Sequence, residues 1–437
     1  MMKNKKISMK NFKIPMLGRP KNDSPLIQFT KLFIDENRRI SFLRHTNEIG
    51  DCISSNKFLP SFECAGPRKK IFFNPKQINC GIVTCGGLCP GINNVIRAIV
   101  YESYEVYGVR KVYGFRYGYK GIVKENNILP VLLDTEMVND IHKKGGTILG
   151  SSRGPQDVGK IVDYLNTLGI SILFAIGGDG TLRGAADIVT EISKRGLDVS
   201  LIGIPKTIDN DISFIEKTFG FETAVEESMR VIQSAHVESK GAENGIGLVK
   251  LMGRDSGFIA AQATLANTDV NFCLVPEFQF RLEGKNGLLA MLENRLRRRK
   301  HAVIVVAEGA GQNLITKKQR KDASGNIIHE DIGIFLKNKI TEYFKQKNFP
   351  FSTKYIDPSY VIRSQPANAC DSQFCLQMGQ NAVHAGMSGR TNMLIGYWNQ
   401  HYTHVPISLA ISERKKIVPE STLWQTTLSV TEQGKHR

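Results

Sequence analysis

Five short apolar runs, each ending in a glycine-bearing or charged loop, constrain the fold of this chain more than any other feature. The runs open the segments GIVTCGG (81–87), ISILFAIGGDG (170–180), VSLIGIPKT (199–207), GIGLVKLMGRDSG (245–257) and AVIVVAEGAG (302–311). Segments with helical spacing follow several of them, such as TLRGAADIVTEISKRG after the second. Continuous Val/Ile/Leu runs indicate strands buried on both faces, and their alternation with helices predicts βαβ units and a mostly parallel sheet.

These loops all stand where a predicted strand ends. Ligands of open parallel sheets bind outside the carboxyl ends of the strands. We therefore expect the chemistry of the protein in these loops. Residues 1–75 show weak periodicity and are interpreted as an N-terminal extension with a helix or two.

Composition excludes several classes of protein. The 437 residues suffice for about two or three domains, with 41% hydrophobic and 23% charged residues as in globular proteins. No apolar stretch reaches the ~18 residues of a membrane span. The basic start, MMKNKKISMKNFKIPMLGRPK, lacks the apolar core of a secretory signal and is poor in the Ser and Arg of a transit peptide. The expected location is cytoplasmic.

The net charge of +17 raises the question of a polyanionic partner. Part of it lies in the first 21 residues and part in NRLRRRKH (294–301). Nucleic acid, an anionic membrane or an anionic small substrate would each fit a basic excess. A single aromatic residue, Phe12, stands among these charges, whereas a base-stacking surface carries several, so a solvated tail and helix face are favoured. Neither nucleic acid nor membrane is an expected partner.

The eight cysteines show no spaced disulfide framework. Cys80, Cys85 and Cys89 lie close together but lack the second pair that a zinc site needs. A zinc site is therefore disfavoured.

Two glycine-containing loops are candidates for phosphate binding. TCGGLCPGINN (84–94) joins a predicted strand to a helix, and GGTILGSSRGPQD (145–157) carries Arg153. Glycines let backbone N–H groups approach an anion, and a helix N-terminus favours phosphate. Such turns also simply connect elements, and the first loop matches neither the P-loop nor the dinucleotide fingerprint.

The loop AIGGDGTLRGA (175–185) is a stronger candidate for a polyphosphate site. Its glycines clear space for phosphates, and Asp179 offers a hard oxygen ligand to Mg²⁺, which accompanies phosphates. Asp179 could also cap the following helix, and the two roles are compatible.

Lys206, Thr207 and two carboxylates stand within six residues in GIPKTIDNDI. Phosphoryl transfer to a hydroxyl needs positive charge and metal around the phosphates and a carboxylate near the attacking oxygen. Asp209 and Asp211 alternate, so one could accept the hydroxyl proton while the other supports the metal shell. An Asx-type turn would explain the carboxylates but not the neighbouring lysine and threonine.

Further charged residues follow other predicted strands. Arg254 in KLMGRDSGF could stabilise a transferring phosphoryl group. Glu308 in VAEGAG is suited to sugar hydroxyls. KYIDPSYVIR offers Lys354, Tyr360 and Arg363 as a phosphate clamp, with solvated surface charge as the open alternative.

Six motifs in this order resemble the phosphofructokinase family: TCGGLCPGIN, GGTILGSSRGP, GGDGT, PKTIDNDI, KLMGRDSG and DPSYVIR. The similarity spans about residues 80–405 and is greatest to the long form of plants and kinetoplastid protozoa. Lipid and NAD kinases share only GGDGT. The resemblance implies an α/β fold of two Rossmann-like three-layer domains with mostly parallel sheets and the active site in the cleft between them. It also implies a homotetramer, or a homodimer, under allosteric control.

The resemblance also implies domain boundaries. The nucleotide-binding domain is expected at 76–228, completed by about 364–405. The sugar-phosphate-binding domain is expected at 229–363, completed by about 406–437, after the extension of residues 1–75.

The activity implied by the resemblance is transfer of the γ-phosphoryl group of MgATP to the 1-hydroxyl of D-fructose 6-phosphate, a glycolytic reaction that gives fructose 1,6-bisphosphate and ADP. The implied catalytic residues are Thr207, Asp209, Asp211 and Arg254, with Asp209 as the proton acceptor. The implied ATP contacts are Gly86, Gly87, Arg153, Gly154, Gly178, Asp179, Gly180, Thr181 and Gly184, and Asp179 is also the implied Mg²⁺ ligand. The implied sugar-phosphate contacts are Thr207, Ile208, Asp209, Met252, Gly253, Arg254, Glu308, Lys354, Tyr360 and Arg363.

The chain departs from the short bacterial form at two phosphate-binding arginines, where Lys354 and Gly245 stand instead. A lysine is a point charge without the bidentate fork of arginine. The allosteric loops of that form have no assignable counterpart here, so the sequence names no effector.

Two positions bear on the phosphoryl donor. Gly180 resembles ATP users, because pyrophosphate users tend to carry an aspartate there that would repel the α-phosphate. Lys206 resembles pyrophosphate users, since short ATP enzymes have glycine. The long ATP enzymes combine this same glycine and lysine, so ATP is the expected donor. A pyrophosphate-dependent fructose-6-phosphate 1-phosphotransferase is the alternative, and a catalytically weak regulatory subunit is a second.

Overall fold

A computed structural model describes residues 9–315, 320–321 and 327–433 of the protein. In chain order its strands are β1 (Asn22–Asp23), β2 (Arg39–Ser41), β3 (Ser61–Cys64), β4 (Lys70–Ile71), β5 (Asn79–Thr84), β6 (Lys111–Phe115), β7 (Val131–Leu133), β8 (Ile170–Gly177), β9 (Ser200–Pro205), β10 (Gly245–Leu251), β11 (Phe272–Leu274), β12 (His301–Ala307), β13 (Arg320–Lys321), β14 (Ile327–Ile328), β15 (Ser352–Ile356), β16 (Met393–Trp398) and β17 (His401–Pro406).

The α-helices alternate with these strands along most of the chain. They are α1 (Thr46–Ser54), α2 (Ile92–Tyr101), α3 (Val158–Thr167), α4 (Asp179–Lys194), α5 (Phe221–Lys240), α6 (Phe258–Ala266), α7 (Leu288–Arg299), α8 (Ile332–Gln346), α9 (Val361–Ser364), α10 (Ala369–Met387), α11 (Ile407–Ala410) and α12 (Thr422–Val430). A π-helical turn, Glu102–Tyr107, continues α2. Within the described ranges, no helix combines the length and the apolar character that crossing a membrane requires.

The chain divides into two compact units. The first comprises Met1–Thr207, Ile212–Gly220 and Pro366–Arg414, and the second comprises Ile208–Asp211, Phe221–Gln365 and Lys415–Arg437. The first boundary falls before α5 rather than at residue 228, because α5 packs on β10 of the second unit. The last falls after residue 414 rather than near 406, because α11 packs on α4 and β17 of the first unit. Which ligand each unit binds stays a prediction.

The first unit is built on a nine-stranded sheet in the order β2-β3-β17-β16-β9-β8-β5-β6-β7. The five central strands, β16, β9, β8, β5 and β6, run parallel, and antiparallel strands flank them on both sides. All six residues of β9 are buried, as its continuous apolar composition predicts. The expectation of a mostly parallel α/β fold is confirmed.

Side chains that alternate along β8 show the three layers of the first unit. Leu173 and Ala175 belong to a core cluster with apolar residues of α3 and α4. Ile172 points to the other face, where it lies against Gly386 of α10. A Cβ on Gly386 would come within 2.7 Å of Ile172, so this glycine allows α10 to approach the sheet closely.

The N-terminal segment is more than a helical extension, because β2 and β3 extend the sheet beyond β17. An aromatic cluster anchors it: the ring centroid of Phe62 lies 5.8 Å from that of Trp398, and Phe42 stacks on Trp398 at 4.9 Å. Arg390 is 1% exposed and forms ion pairs with Glu36 and Glu63, both from this segment. The segment is therefore an integral part of the first unit.

The second unit has a fully parallel four-stranded sheet in the order β11-β12-β10-β15. Ile246 and Leu248 of β10 pack with apolar residues of α7 and α8 in one core cluster. Between them, Gly247 faces Ala235 of α5, whose carbonyl oxygen would lie 2.7 Å from a Cβ at this position. Helices therefore cover both faces of this sheet too, and a short β13–β14 hairpin lies apart from it.

Candidate active site

The two glycine loops predicted to bind phosphate meet in the first unit. After β5 the chain turns at Gly86, whose φ of +87° favours glycine. The Gly86 N–H donates to the carbonyl of Ser152 at 3.0 Å, and the Ser151 hydroxyl donates to the carbonyl of Gly86 at 2.6 Å. The predicted residues Arg153 and Gly154 follow directly in the chain.

Lys206 connects this turn to the next strand ends. Its ammonium donates to the carbonyl oxygen of Gly87 at 2.7 Å, and its backbone N–H donates to the carbonyl of Gly177 at 3.0 Å. Lys206 is 5% exposed. A positive charge is therefore fixed beside the glycine turn rather than extended into solvent.

The GGDGT turn opens α4, with Gly178 at the N-cap position. Gly177 faces the side chain of Thr181, whose hydroxyl would lie 2.1 Å from an added Cβ, so only glycine fits there. At Gly180, in contrast, no atom lies within 4 Å of an added Cβ. The predicted donor-specificity position therefore borders open space, and the first N–H groups of α4 favour an anion there.

Asp179, the predicted Mg²⁺ ligand, forms an ion pair with Arg183, one helical turn later in α4. The Arg183 Nε and Nη2 atoms each donate to Asp179 at 3.2 Å, and Nη2 also donates to the carbonyl of Ile411 at 2.9 Å. The carboxylate is a hard oxygen donor with 28% of its side chain exposed, which fits a magnesium ion that also binds phosphates. Among the described residues no group of three His, Cys, Asp or Glu side chains could hold a metal without phosphates.

Two predicted residues of the first unit have packing partners of their own. Gly184 lies against Tyr119, whose ring would be 3.0 Å from an added Cβ. The carbonyl oxygen of Thr207 accepts a hydrogen bond of 2.7 Å from the Thr218 hydroxyl. This bond fixes the backbone directly after Lys206. The cofactor role of Gly184 stays a prediction, and its visible role is to let Tyr119 approach α4.

The cysteines of the first glycine loop are buried in the protein interior. Burial raises the pKa of the Cys85 thiol to about 12, and burial also raises the pKa of Cys80 far above its ordinary value. The Cys89 thiol donates to the carbonyl of Phe219 at 3.2 Å. Cys80 and Cys85 are therefore protonated thiols at neutral pH.

In the second unit, the segment Ile208–Asp211 holds the predicted proton acceptor. Asp209 is 9% exposed, and Asn210 adopts a left-handed φ of +52°. Lys415 fixes this turn twice: its ammonium donates to Asn210 Oδ1 at 2.9 Å, and its N–H donates to the carbonyl of Asp211 at 2.8 Å. Ile208, at the start of the segment, is buried.

Arg254 lies next to this segment. Its Nε atom is 4.0 Å from Asp209 Oδ2, and its backbone N–H donates to Glu308 Oε1 at 2.8 Å. Arg254 has a left-handed φ of +48°, an unfavourable conformation for a non-glycine residue that concentrates at functional sites. Gly309 makes room for it, because a Cβ there would be 1.9 Å from the carbonyl oxygen of Arg254.

Ser256 links Gly253 to the segment Ile208–Asp211. Ser256 is buried, and its hydroxyl lies 3.0 Å from the carbonyl of Gly253 and 3.3 Å from the carbonyl of Asp209. The second unit thus brings together Asp209, Gly253, Arg254 and Glu308, which stand up to 99 positions apart in sequence.

The predicted 6-phosphate residues lie on β15 and at the start of α9, which follows it in the chain. Lys354 lies on this strand with its side chain exposed. Tyr360 is 74% exposed, and the guanidinium of Arg363 stands 4.9 Å from the centre of its ring. Tyr360 and Arg363 thus lie together, whereas Lys354 stands on the preceding strand.

Three residues with contacts to the site were not predicted from the sequence. Arg183 could have been found, because an arginine four positions after an aspartate on a helix is a common ion pair. Ser256 lies inside a motif but has no chemistry that singles it out. Lys415 stands more than 200 positions from Asn210 in a basic stretch, SERKK, that carries no motif.

Comparison with known proteins identifies relatives along most of the chain. The family model described as phosphofructokinase matches residues 79–386. An ATP-dependent 6-phosphofructokinase of Borreliella burgdorferi is 50% identical over 435 residues, which cover 97% of each chain. An ATP-dependent 6-phosphofructokinase of Trypanosoma brucei brucei is 47% identical over 372 residues, 84% of this chain and 76% of that protein. The predicted likeness to kinetoplastid enzymes is confirmed.

A solved structure gives the same fold at low identity. The crystal structure of a pyrophosphate-dependent phosphofructokinase from Marinobacter aquaeolei matches with a TM-score of 0.65. The match covers 79% of this chain and 88% of that chain at 20% sequence identity. This likeness supports the fold alone and does not bear on the phosphoryl donor.

Proposed function

The chain belongs to the phosphofructokinase family, and from this premise we propose that it transfers the γ-phosphoryl group of MgATP to the 1-hydroxyl of fructose 6-phosphate. The products are fructose 1,6-bisphosphate and ADP. The observation that carries the proposal is the position of the Asp209 carboxylate, 4.0 Å from the Arg254 guanidinium with Glu308 behind it. This arrangement places a proton acceptor beside a cation, as phosphoryl transfer to a hydroxyl requires.

Asp209 accepts the proton of the 1-hydroxyl as that oxygen attacks the γ-phosphorus. A new bond forms between the sugar oxygen and phosphorus, while the bond between the γ-phosphorus and the β–γ bridging oxygen breaks and ADP leaves. Arg254 stabilises the negative charge on the phosphoryl oxygens during the transfer. Thr207 and Asp211 flank Asp209 in the chain, where they would contact the transferring phosphoryl group and support the ligands of the magnesium ion.

ATP is held by the first unit in this proposal. The contacts come from Gly86 and Gly87, from Arg153 and Gly154, and from the start of α4 at Gly178–Thr181. Asp179 would hold Mg²⁺ together with the phosphates, and an ion bound there would neutralise part of the phosphate charge. The full-length relatives named as ATP-dependent support ATP as the donor, and so does the open space at Gly180.

Fructose 6-phosphate is held by the second unit. Ile208, Met252, Gly253, Arg254 and Glu308 contact the sugar. Lys354, Tyr360 and Arg363 bind the 6-phosphate. The stacking of Arg363 on Tyr360 supports this assignment, because it fixes the guanidinium next to an exposed hydroxyl.

The decisive experiment measures fructose 1,6-bisphosphate formation from fructose 6-phosphate and Mg²⁺, with ATP and pyrophosphate in parallel. Activity with ATP alone is expected. Activity with pyrophosphate alone would favour the pyrophosphate-dependent enzyme and would show that Lys206, not Gly180, determines the phosphoryl donor. Folded protein that is inactive with both would instead favour a regulatory subunit.

We further propose a homotetramer in the cytoplasm as the working form of the enzyme, with allosteric control. Light scattering of the purified protein at micromolar concentration measures the assembly. A mass near four times 48.7 kDa is expected, and a mass near twice that value would indicate the homodimer.

A further inference from the structure

Lys250 is a largely buried cation in the second unit that has no role in the proposed phosphoryl transfer. It is the penultimate residue of β10 and immediately precedes Leu251 and the sugar-binding Met252–Arg254 segment. Only 13% of its side chain is exposed. Its ammonium lies 2.7 Å from Asp331 Oδ2 and 2.7 Å from Asp357 Oδ2, so it forms two ion pairs at once.

The two carboxylates have different structural roles. Asp331 caps α8, since its Oδ1 atom accepts from the N–H of Ile334 at 3.0 Å and from the Tyr355 hydroxyl at 3.0 Å. Asp357 begins the loop after β15. Its Oδ1 atom accepts a hydrogen bond from the N–H of Ser359 at 3.2 Å and another from the Ser359 hydroxyl.

The loop that begins at Asp357 leads directly to the phosphate clamp. The N–H of Val361 donates to the carbonyl of Pro358 at 2.7 Å, which closes a turn around Tyr360, and Arg363 follows in α9. The strands on either side are in register, because Val249 of β10 pairs with Ile356 of β15. The bond between Lys250 and Asp357 therefore continues the β10–β15 contact one position beyond the last paired residues.

We propose that Lys250 is a positioning residue for fructose 6-phosphate, because its ion pair with Asp357 holds the Tyr360–Arg363 turn beside the Met252–Arg254 segment. This inference rests on the proposed function, since it concerns the same substrate site. The ammonium also compensates two carboxylates that would otherwise repel each other and the sugar phosphate. A lysine is required by this geometry, because one compact ammonium reaches both oxygens at 2.7 Å.

The test compares three variants with the unmodified enzyme. Lys250→Met keeps the length of the side chain and removes its charge, and Asp357→Asn weakens the bond to the loop. Asp331→Asn is the matched control, because asparagine still caps α8 and still accepts from Tyr355. The KM for fructose 6-phosphate, the KM for ATP and kcat are measured for each, together with the melting temperature.

We expect Lys250→Met and Asp357→Asn to raise the KM for fructose 6-phosphate by about 10- to 100-fold, as for a substrate group displaced by about 1 Å, with the KM for ATP changed less than about threefold. Asp331→Asn should change both KM values less than about threefold. Faster hydrogen exchange of residues 357–365 in Lys250→Met is the readout that does not depend on activity. If Lys250→Met does not fold, Asp357→Asn carries the test.

Two failures are distinguishable. An unmodified enzyme that forms no fructose 1,6-bisphosphate would overturn the proposed function and the inference that rests on it. An active unmodified enzyme, with an unchanged KM for fructose 6-phosphate in both Lys250→Met and Asp357→Asn, would overturn the positioning role alone. A loss of melting temperature without a change in KM would show that the cluster stabilises the fold and does not position the substrate.

Discussion

The ammonium of Lys206 donates a hydrogen bond of 2.7 Å to the carbonyl oxygen of Gly87. The lysine after β9 is thereby held at the glycine turn after β5, where the phosphates of ATP are proposed to bind. We expect Lys206→Met to lower kcat/KM for ATP by about 10- to 100-fold, because a charge-assisted contact contributes about 1.5–3 kcal/mol. Steady-state kinetics with varied ATP concentration check this. An unchanged kcat/KM for ATP would show that the Lys206 ammonium does not contribute to ATP binding or transfer. The dissociation constant for fructose 6-phosphate alone serves as the control and should not change.

Gly180 offers a test of donor choice with its own control. An added Cβ there meets no atom within 4 Å, so Gly180→Ala should fold and keep its ATP kinetics within about threefold. Gly180→Asp adds a carboxylate where the α-phosphate is proposed to lie, and kcat/KM for ATP should fall at least about 100-fold by repulsion. Equal kinetics of the two variants would show that charge at this position does not select the donor.

Asp209 is the proposed proton acceptor. We expect Asp209→Ser and Asp209→Ala to lose about 10²–10⁴-fold in kcat, the usual contribution of a general base. Circular dichroism and the melting temperature should remain near those of the unmodified protein, because both substitutions only shorten the side chain and the turn keeps its two hydrogen bonds to Lys415. Turnover within tenfold of normal would refute the assignment.

Lys415 should affect catalysis through the turn that holds Asp209. Its ammonium lies 2.9 Å from Asn210 Oδ1 and 5.2 Å from the ring centre of Phe258. We expect Lys415→Met to lower kcat by about tenfold, because the left-handed conformation of Asn210 loses its anchor. Lys416→Met, one position later in the chain, is the control and should keep normal turnover. Equal effects of the two substitutions would point to general surface charge instead.

Glu102 predicts a dependence of stability on pH. Burial raises its pKa to about 7, and its Oε2 atom accepts from Gln380 Nε2 at 3.2 Å. His384 Nδ1 lies 3.7 Å from Glu102 Oε1 and 2.9 Å from the Tyr107 hydroxyl, and burial lowers the pKa of this histidine to about 3. The carboxyl is therefore protonated in the folded protein at a pH where the unfolded chain has already lost its proton.

The folded state binds more protons than the unfolded state between pH 4.5 and about 7, so the contribution of Glu102 to stability is lost as pH rises through this window. Glu102→Gln mimics the protonated acid. It should leave the free energy of unfolding nearly unchanged at pH 4.5 and raise it at pH 8 by up to about 3 kcal/mol. Urea unfolding at the two pH values checks this, and a pH-independent difference would contradict the raised pKa.

The sequence by itself determined the class of fold and the parts of the site that depend on local chemistry. Continuous apolar runs specify buried parallel strands, because burial on both faces favours apolar residues, as in the run from Leu201 to Ile204 of β9. Glycines at Gly86 and Gly177 mark turns that no other residue could adopt without strain or a clash. Asp179, Asp209 and Arg254 follow these strands, so the chemistry of the loops could be predicted together with the fold.

Tertiary structure alone decided which distant side chains support those loops. Lys415 reaches Asn210 across 205 positions, and Lys250 reaches Asp331 across 81. Pairing of β3 with β17, more than 300 positions apart, makes the N-terminal segment part of the sheet. Such contacts depend on how the backbone brings remote segments together. A single lysine or a short strand has no periodicity and could pair with many partners. The neighbouring residues in the sequence therefore do not identify its partner.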